Sequence, residues 1–295
     1  NSDRLLVNGF VNSMLEKQFN VNFTNKLNSK WSNIISLRSV QKSNVMDDNG
    51  DGFLDNPLTT RYVLYNKWNY GDKKTDFNIA GRFWNEKRIG GQREDVHGSL
   101  HTPDRKLYEQ TVKINSVEGY SRFSRQFSET SGIKFYLTSS YYDQKSVYGI
   151  TKYDAIQTNL SAMGFYEFEI VEKGYLKTGL SYKYLNIDEK IAFNDTTNKT
   201  YAGDHLKRET IPGFFAESSI SFLDNKASIM TGIRLDYHNE NKFVVTPRAL
   251  LRYQPDKVIV FRVSIGTGFR TLNMFSEYSN LLASSKDITV SGKLD

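Results

Sequence analysis

Between residues 227 and 270 the chain alternates with a period of two, and the parity survives two turns. In the first run the odd positions Ala227, Ile229, Ile233, Leu235 and Tyr237 are apolar, against Ser228, Gly232, Arg234, Asp236 and His238. In the second, Phe243, Val245, Pro247, Ala249, Leu251 and Tyr253 oppose Thr246, Arg248, Arg252 and Gln254. In the third, Ile259, Phe261, Val263, Ile265 and Phe269 oppose Arg262, Ser264 and Arg270. Such alternation throws successive side chains to opposite faces of a strand. The connections, 239–242 and 255–257, are short. The stretch therefore predicts an antiparallel meander of strands longer than the usual five or six residues.

The apolar face has two candidate solvents. A soluble sandwich also alternates, but its strands are about half this length. Strands of ten or more residues suit an outer-membrane barrel, whose apolar side meets lipid and whose polar side meets a wet lumen. The terminal aromatics Tyr237, Phe243, Tyr253 and Phe269 fit its interfacial girdles. The second face carries Arg234, Arg248, Arg252, Arg262 and Arg270, which a sandwich core would bury at high cost. The barrel is the better solution.

Composition agrees with that choice. The 295 residues contain no run near the roughly 20 apolar residues of a spanning helix. The negative mean hydropathy does not exclude a membrane, because alternation averages the lipid-facing signal away. Absence of Cys removes a disulfide framework and any thiolate metal site. A net charge of +6 is spread over alternate strand positions, which argues against a nucleic-acid partner. No GxSxG elbow occurs, and Gly266-x-Gly268 lacks a third Gly at phosphate-loop spacing, so no enzyme is expected.

The same pattern predicts strands over 16–24, 31–42, 59–70, 75–88, 110–127, 134–149, 155–171, 176–193 and 209–222, about 12 in all with the opening three. Residues 1–15 stay open between a short helix and a strand. Tight turns (71–74, 128–132, 172–174, 223–226, 255–257) alternate with longer connections at 44–58, 89–106, 194–208 and from 271 onward. Short connections at 150–154 and 239–242 are exceptions on the long side. Short periplasmic turns and long external loops are a feature of outer-membrane barrels. The fold class expected is all-β.

Several motifs invite a functional reading. Residues 47–55 read D-x-N-x-D-G-x-x-D, so Asp47, Asn49, Asp51 and Asp55, with Gly52 at the bend, match the first part of a calcium loop. Leu58 stands where the bidentate acid belongs, and an Asp/Asn/Gly-rich hairpin needs no metal. His97, His101, His205 and His238 are too scattered for a metal site, with the first three in loops. Tyr141, Tyr142, Tyr148 and Tyr153 could grip a ligand or belong to the aromatic girdle.

Thr246-Pro-Arg248, Arg252-Tyr253 and Gly266-Thr-Gly-Phe-Arg270, followed by Asn273, Phe275 and Glu277, resemble TonB-dependent outer-membrane receptors of the Bacteroidetes type. DDNGDGFLDNPLTTR at 47–61, YNKW at 65–68 and TIPGFFAE at 210–217 extend the likeness over nearly the whole chain. The resemblance implies a barrel of about 22 strands with a plugged lumen, of which residues 1–295 supply one partial barrel domain. The N-terminal plug and the strands after about residue 290 are expected to lie outside this sequence. It also implies a bacterial outer-membrane location with lipid as a partner, and TonB contacting the missing N-terminal region. The imported solute would be a ferric siderophore, cobalamin, haem or a glycan, with a ferric chelate favoured. The five arginines would then either meet an anionic ligand or pair with acids of the plug and neighbouring strands. A diffusion porin or surface adhesion barrel is the alternative, and it would lack the plug.

Overall fold

The computed structural model describes residues 4–92, 107–194 and 199–283. Thirteen strands follow one another: β1 (Leu5–Val11), β2 (Glu16–Lys26), β3 (Trp31–Lys42), β4 (Leu58–Gly71), β5 (Thr75–Gly91), β6 (Glu109–Ser128), β7 (Ser131–Tyr148), β8 (Thr151–Val171), β9 (Gly174–Phe193), β10 (Gly203–Phe222), β11 (Ala227–His238), β12 (Lys242–Tyr253) and β13 (Phe261–Gly266). Each pairs antiparallel with its sequence neighbours in one sheet. Among the described residues β1 and β13 each have a partner on one side only, so the sheet is a partial barrel wall.

The alternation decides which way this wall faces. Register carries one parity across strands: Leu235 opposes Val245, Ile229 opposes Leu251, and Leu251 opposes Val263. No second layer covers these residues. Ile229, Val245, Leu251, Phe261 and Ile265 are 39%, 52%, 44%, 57% and 77% exposed. Their side is an open apolar surface, as the lipid-facing reading requires. Aromatics border it at two levels. Trp31 and Tyr70, 5.0 Å apart, and Tyr166 and Phe168, 5.3 Å apart, lie toward the short-turn rim. Tyr237 and Phe243, 5.1 Å apart, mark the other side. No helix among the described residues is long and apolar enough to span a membrane, which says nothing of the strands.

The strands outreach that band. β6, β9 and β10 have 20 residues each and β8 has 21. At about 3.3 Å per residue and about 45° tilt they rise roughly 45 Å, against an apolar band of about 25 Å. The outer face of β8 shows the change directly. Phe168, Tyr166, Ala162 and Leu160 give way to Ile156, then to Asp154 and Lys152 near the long-loop rim.

Three sequence expectations change. The stretch left open between helix and strand holds β1, so the described residues contain 13 strands. The connection expected over 194–208 is shorter, because β10 begins at Gly203; His205 therefore sits in a strand. The last strand, expected over 258–270, spans only Phe261–Gly266. Beyond it Thr267 N–H still donates to Pro247 O at 3.1 Å. The chain then leaves the wall and folds as two single-turn helices, α1 (Met274–Glu277) and α2 (Ser279–Leu282).

Candidate ligand-conducting lumen

The inner face is charged along its whole height, and much of that charge is paired, across strands or two residues along one. Glu86 on β5, whose side chain is fully buried, lies between Arg61 of β4 and Arg88 of its own strand. Arg82 grips both oxygens of Glu118 at 2.6 and 2.5 Å, and Trp84 Nε1–H donates to the same carboxylate at 3.1 Å. Arg122 reaches Asp76 at 2.6 Å. These cations share the inward parity of β4 to β6, so alternation could have named them beside the five arginines singled out.

Of those five, Arg234 donates to Asp236 at 2.6 Å and to Ser181 Oγ at 2.7 Å. Arg248 pairs with Glu217, which also lies 3.5 Å from Lys177. Arg252 donates to Gln254. Arg262 sits opposite Arg252 in the β12–β13 register. Arg270 belongs to no strand: it lies past the end of β13 and pairs with Glu277.

Glycine makes two of these pairings possible. Gly232 separates Glu217 from Arg248 in the register, and a Cβ there would lie 3.2 Å from Arg248 Nε. Gly213 lies between Ser181 and Asp236, and a Cβ there would meet Ser181 Oγ at 2.9 Å and the Arg234 guanidinium at 3.0 Å. A side chain at either position would block the lane along which an arginine crosses a strand to its partner.

Near the long-loop rim the segment from Thr267 to Ala283 folds against this inner face. Lys207 Nζ donates to Leu272 O at 2.6 Å and to Asn273 Oδ1 at 2.8 Å. Glu277 accepts the Asn273 N–H at 3.0 Å, and its pairing with Arg270 closes the turn; both hold its carboxyl below the usual carboxylate range. Phe275 packs 4.8 Å from the His205 ring, and Phe275 and Leu282 join Tyr148, Tyr153, Ala155, Ile191 and Tyr201 in one buried cluster. Burial of these two apolar residues is what takes the chain off the wall.

That cluster corrects two expectations. Tyr148 and Tyr153 are 7% and 1% exposed within it, and Tyr153 O–H donates to Glu189 at 2.6 Å, so neither belongs to a lipid girdle. Tyr141 does face outward, whereas Tyr142 turns inward to Trp84, 6.1 Å away. Phe269, expected on the lipid side, meets the buried His238 ring at 6.2 Å. His97 and His101 lie outside the described residues.

Below the folded-in segment a concavity of about 880 Å³ opens on the inner wall, lined among others by Tyr65, Arg82, Glu118, Tyr120, Lys183 and Ile211. The 47–55 loop is held by hydrogen bonds within it and by the end of β5, where Leu54 N–H donates to Gly91 O at 2.9 Å. Asp47 accepts the N–H groups of Asp51 and Gly52 at 3.0 and 2.9 Å, Asp51 that of Phe53 at 2.8 Å, and Asp55 that of Asp48 at 2.8 Å. Asn49 Oδ1 accepts the Asp51 N–H at 3.1 Å. Among the described residues no group of three or more His, Cys, Asp or Glu side chains is arranged to hold a metal ion.

Known proteins share this arrangement. The family described as TonB dependent receptor-like, beta-barrel matches residues 17–293. No curated protein matches. Among solved structures, a mutant ferric enterobactin receptor of Pseudomonas aeruginosa (PfeA), crystallised with enterobactin, superposes with a TM-score of 0.67 at 12% identity, over 92% of this chain and 45% of that one. BauA, the ferric preacinetobactin receptor of Acinetobacter baumannii, gives 0.62 at 10% identity over 84% and 44%. The unliganded ferric citrate transporter FecA gives 0.58 at 10% identity over 86% and 42%. This chain thus spans less than half of each, and identity so low speaks for the fold alone. With the family match running almost end to end over a meander that is apolar outside and charge-laddered inside, the chain belongs to the TonB-dependent receptor β-barrel family.

Proposed function

We propose that this chain forms part of the barrel of a bacterial outer-membrane receptor that imports a scarce solute with energy delivered through TonB. The observation that carries the reading is the division of one sheet into a lipid-matched outer face and a lumen laddered with ion pairs. A passive pore also has a polar interior, and it is the family match over residues 17–293 that favours the receptor. The full polypeptide then carries a plug domain upstream, which presents the TonB-contacting segment, and further strands that close the barrel. An open reading frame well over twice this length supports that, and one without a plug-coding region contradicts it.

The solute is a ferric chelate. The similar solved proteins named above are receptors for ferric enterobactin and ferric preacinetobactin and a transporter of ferric citrate. Arg234, Arg248 and Arg270 already have acidic partners, so they shape the lumen rather than wait for a ligand. Arg252 and Arg262 oppose each other close to the short-turn rim, which supports a pairing with acids of the plug. A deletion strain is expected to lose growth on ferric chelates while keeping it on haem, cobalamin and glycans. Loss on one of those instead would move the assignment to that solute. The 47–55 loop acts as a hydrogen-bonded loop that needs no metal. Isothermal titration of the refolded barrel with calcium is expected to give no heat, and a stoichiometric heat would restore Asp47, Asn49, Asp51 and Asp55 as a metal site.

A further inference from the structure

One register row on the outer face breaks the rule that like charges avoid each other across a sheet. Lys87 of β5 lies directly opposite Lys113 of β6, and Lys113 directly opposite Lys145 of β7. All three are exposed. Neighbouring strands are about 4.8 Å apart, so three ammonium groups share a span of roughly 10 Å, about one screening length at physiological salt. Such a row is destabilising on its own. Followed the other way it reaches Thr60, Gln41 and Lys17, so from β2 to β7 the row holds four lysines and no acid. Asp143 lies in the row below, and Asp154 opposes Lys145 from β8; further on, Lys190 and Asp204 pair at 3.8 Å. Among the described residues none of Lys87, Lys113 and Lys145 is in an ion pair.

The height of the row identifies what compensates it. Two outward positions closer to the apolar band stand Phe83, Val117 and Tyr141, which oppose one another in the same register and are 44%, 54% and 44% exposed. Four residues along a strand are about 13 Å, or roughly 10 Å along the membrane normal at about 45° tilt. The lysine backbones thus stand beyond the apolar band, stepping by roughly 7 Å in height across the three tilted strands, and their flexible stems reach back into the headgroup layer.

We infer that Lys87, Lys113 and Lys145 form a docking site for the headgroup of a multiply phosphorylated lipid in the outer leaflet. A single phosphate meets one or two of these cations; a headgroup bearing two phosphates on a rigid frame spans the row. The inference rests on the lipid-facing reading of the outer wall. The headgroup neutralises the lysine row while its acyl chains lie on the apolar face below, where Ile79, Phe83, Leu137 and Tyr141 stand out from the sheet.

The test is native mass spectrometry of the full receptor in non-ionic detergent. It is mixed with a bisphosphorylated glucosamine-disaccharide lipid, its monophosphorylated form, or an anionic lipid without phosphate. Lys87→Gln/Lys113→Gln/Lys145→Gln is compared with Lys73→Gln/Lys74→Gln/Lys226→Gln, which removes the same charge from turns on the opposite rim. Heat-modifiable gel mobility checks folding, and removal of like-charge repulsion leaves the row variant folded. The wild-type and control proteins are expected to retain the bisphosphorylated lipid, and the row variant to retain roughly 10-fold less or lower still. Equal retention by the row variant, or displacement of the lipid by inorganic phosphate at matched concentration, overturns the site. Failure of the receptor to enter lipid vesicles at all would instead count against the barrel reading, so the two failures are distinct.

Discussion

Leu137 and Thr138 are neighbours on β7, yet they belong to different solvents. Leu137 points to the apolar exterior between Phe135 and Ser139, whereas Thr138 borders the lumenal concavity. The outer face is held to one chemistry by its surroundings, and any apolar side chain of fair size serves. The inner face is held by specific partners. Glu86 has two arginines, Glu118 has Arg82 and Trp84, and Glu217 has Arg248 and Lys177. Within its apolar band the outer face tolerates exchange and forbids charge; the inner face accepts charge and penalises loss of a partner.

The sharpest way to break this contrast is to place one charge on each side. Leu137→Arg is expected to destabilise the barrel by about 2–4 kcal/mol in lipid, and Thr138→Arg by under about 1 kcal/mol, as read by chemical unfolding in liposomes. Equal costs would mean that the two faces share a solvent. Next in size is Glu86→Gln. It leaves two arginines around a buried amide, and with both cations partly in water the expected cost is about 1–3 kcal/mol in the same assay. Gly232→Val is expected to cost about 1–3 kcal/mol and to be partly rescued by Arg248→Ala, because the added side chain meets Arg248. Absence of rescue would place the strain in the backbone instead.

The smallest effect lies in a turn outside the membrane. Asp72 accepts the Tyr70 hydroxyl at 2.7 Å and the N–H groups of Lys74 and Thr75, which together hold its carboxyl down to about 2. Its folded value is lower than the unfolded one near 3.9, so its contribution is complete above that value and lost as the pH falls toward about 2. NMR titration of the Asp72 carboxyl should report the low value, and an ordinary one would mean that the turn is not capped this way.

Much of the wall was legible because one apolar and one polar face impose period two, which no turn erased between Ala227 and Ile265. Legibility failed where that contrast of solvents ends. At the start of β10, Asp204, His205 and Lys207 stand above the apolar band with water or polar lumen on both sides, so no alternation marked the strand. Tyr148 and Tyr153 carried the right residue type for a girdle, but period gives the face of a residue and not its height. Phe269 and Arg270 continued the odd–even rule by letter alone. What removes them from the wall is tertiary: Phe275 and Leu282 find a buried site among residues more than 70 positions earlier, which local pattern does not announce. The ion-pair ladder was half legible. Parity gives the inward arginines, whereas the partner each one reaches depends on register and on a glycine in the intervening strand.

The central claim is that odd positions of β7 face hydrocarbon and even positions face water. Residues 1–295 contain no cysteine, so a single Cys can be walked through 133–141 of the reconstituted receptor, with any Cys elsewhere in it replaced by Ser, and spin-labelled. Collision with dissolved oxygen and with a water-soluble nickel chelate is then measured at each site. The expected result is a two-residue oscillation, with oxygen dominant at 133, 135, 137, 139 and 141 and the nickel chelate at 134, 136, 138 and 140. Labels at the odd positions that are shielded from both reagents, or equally open to the nickel chelate, would contradict it.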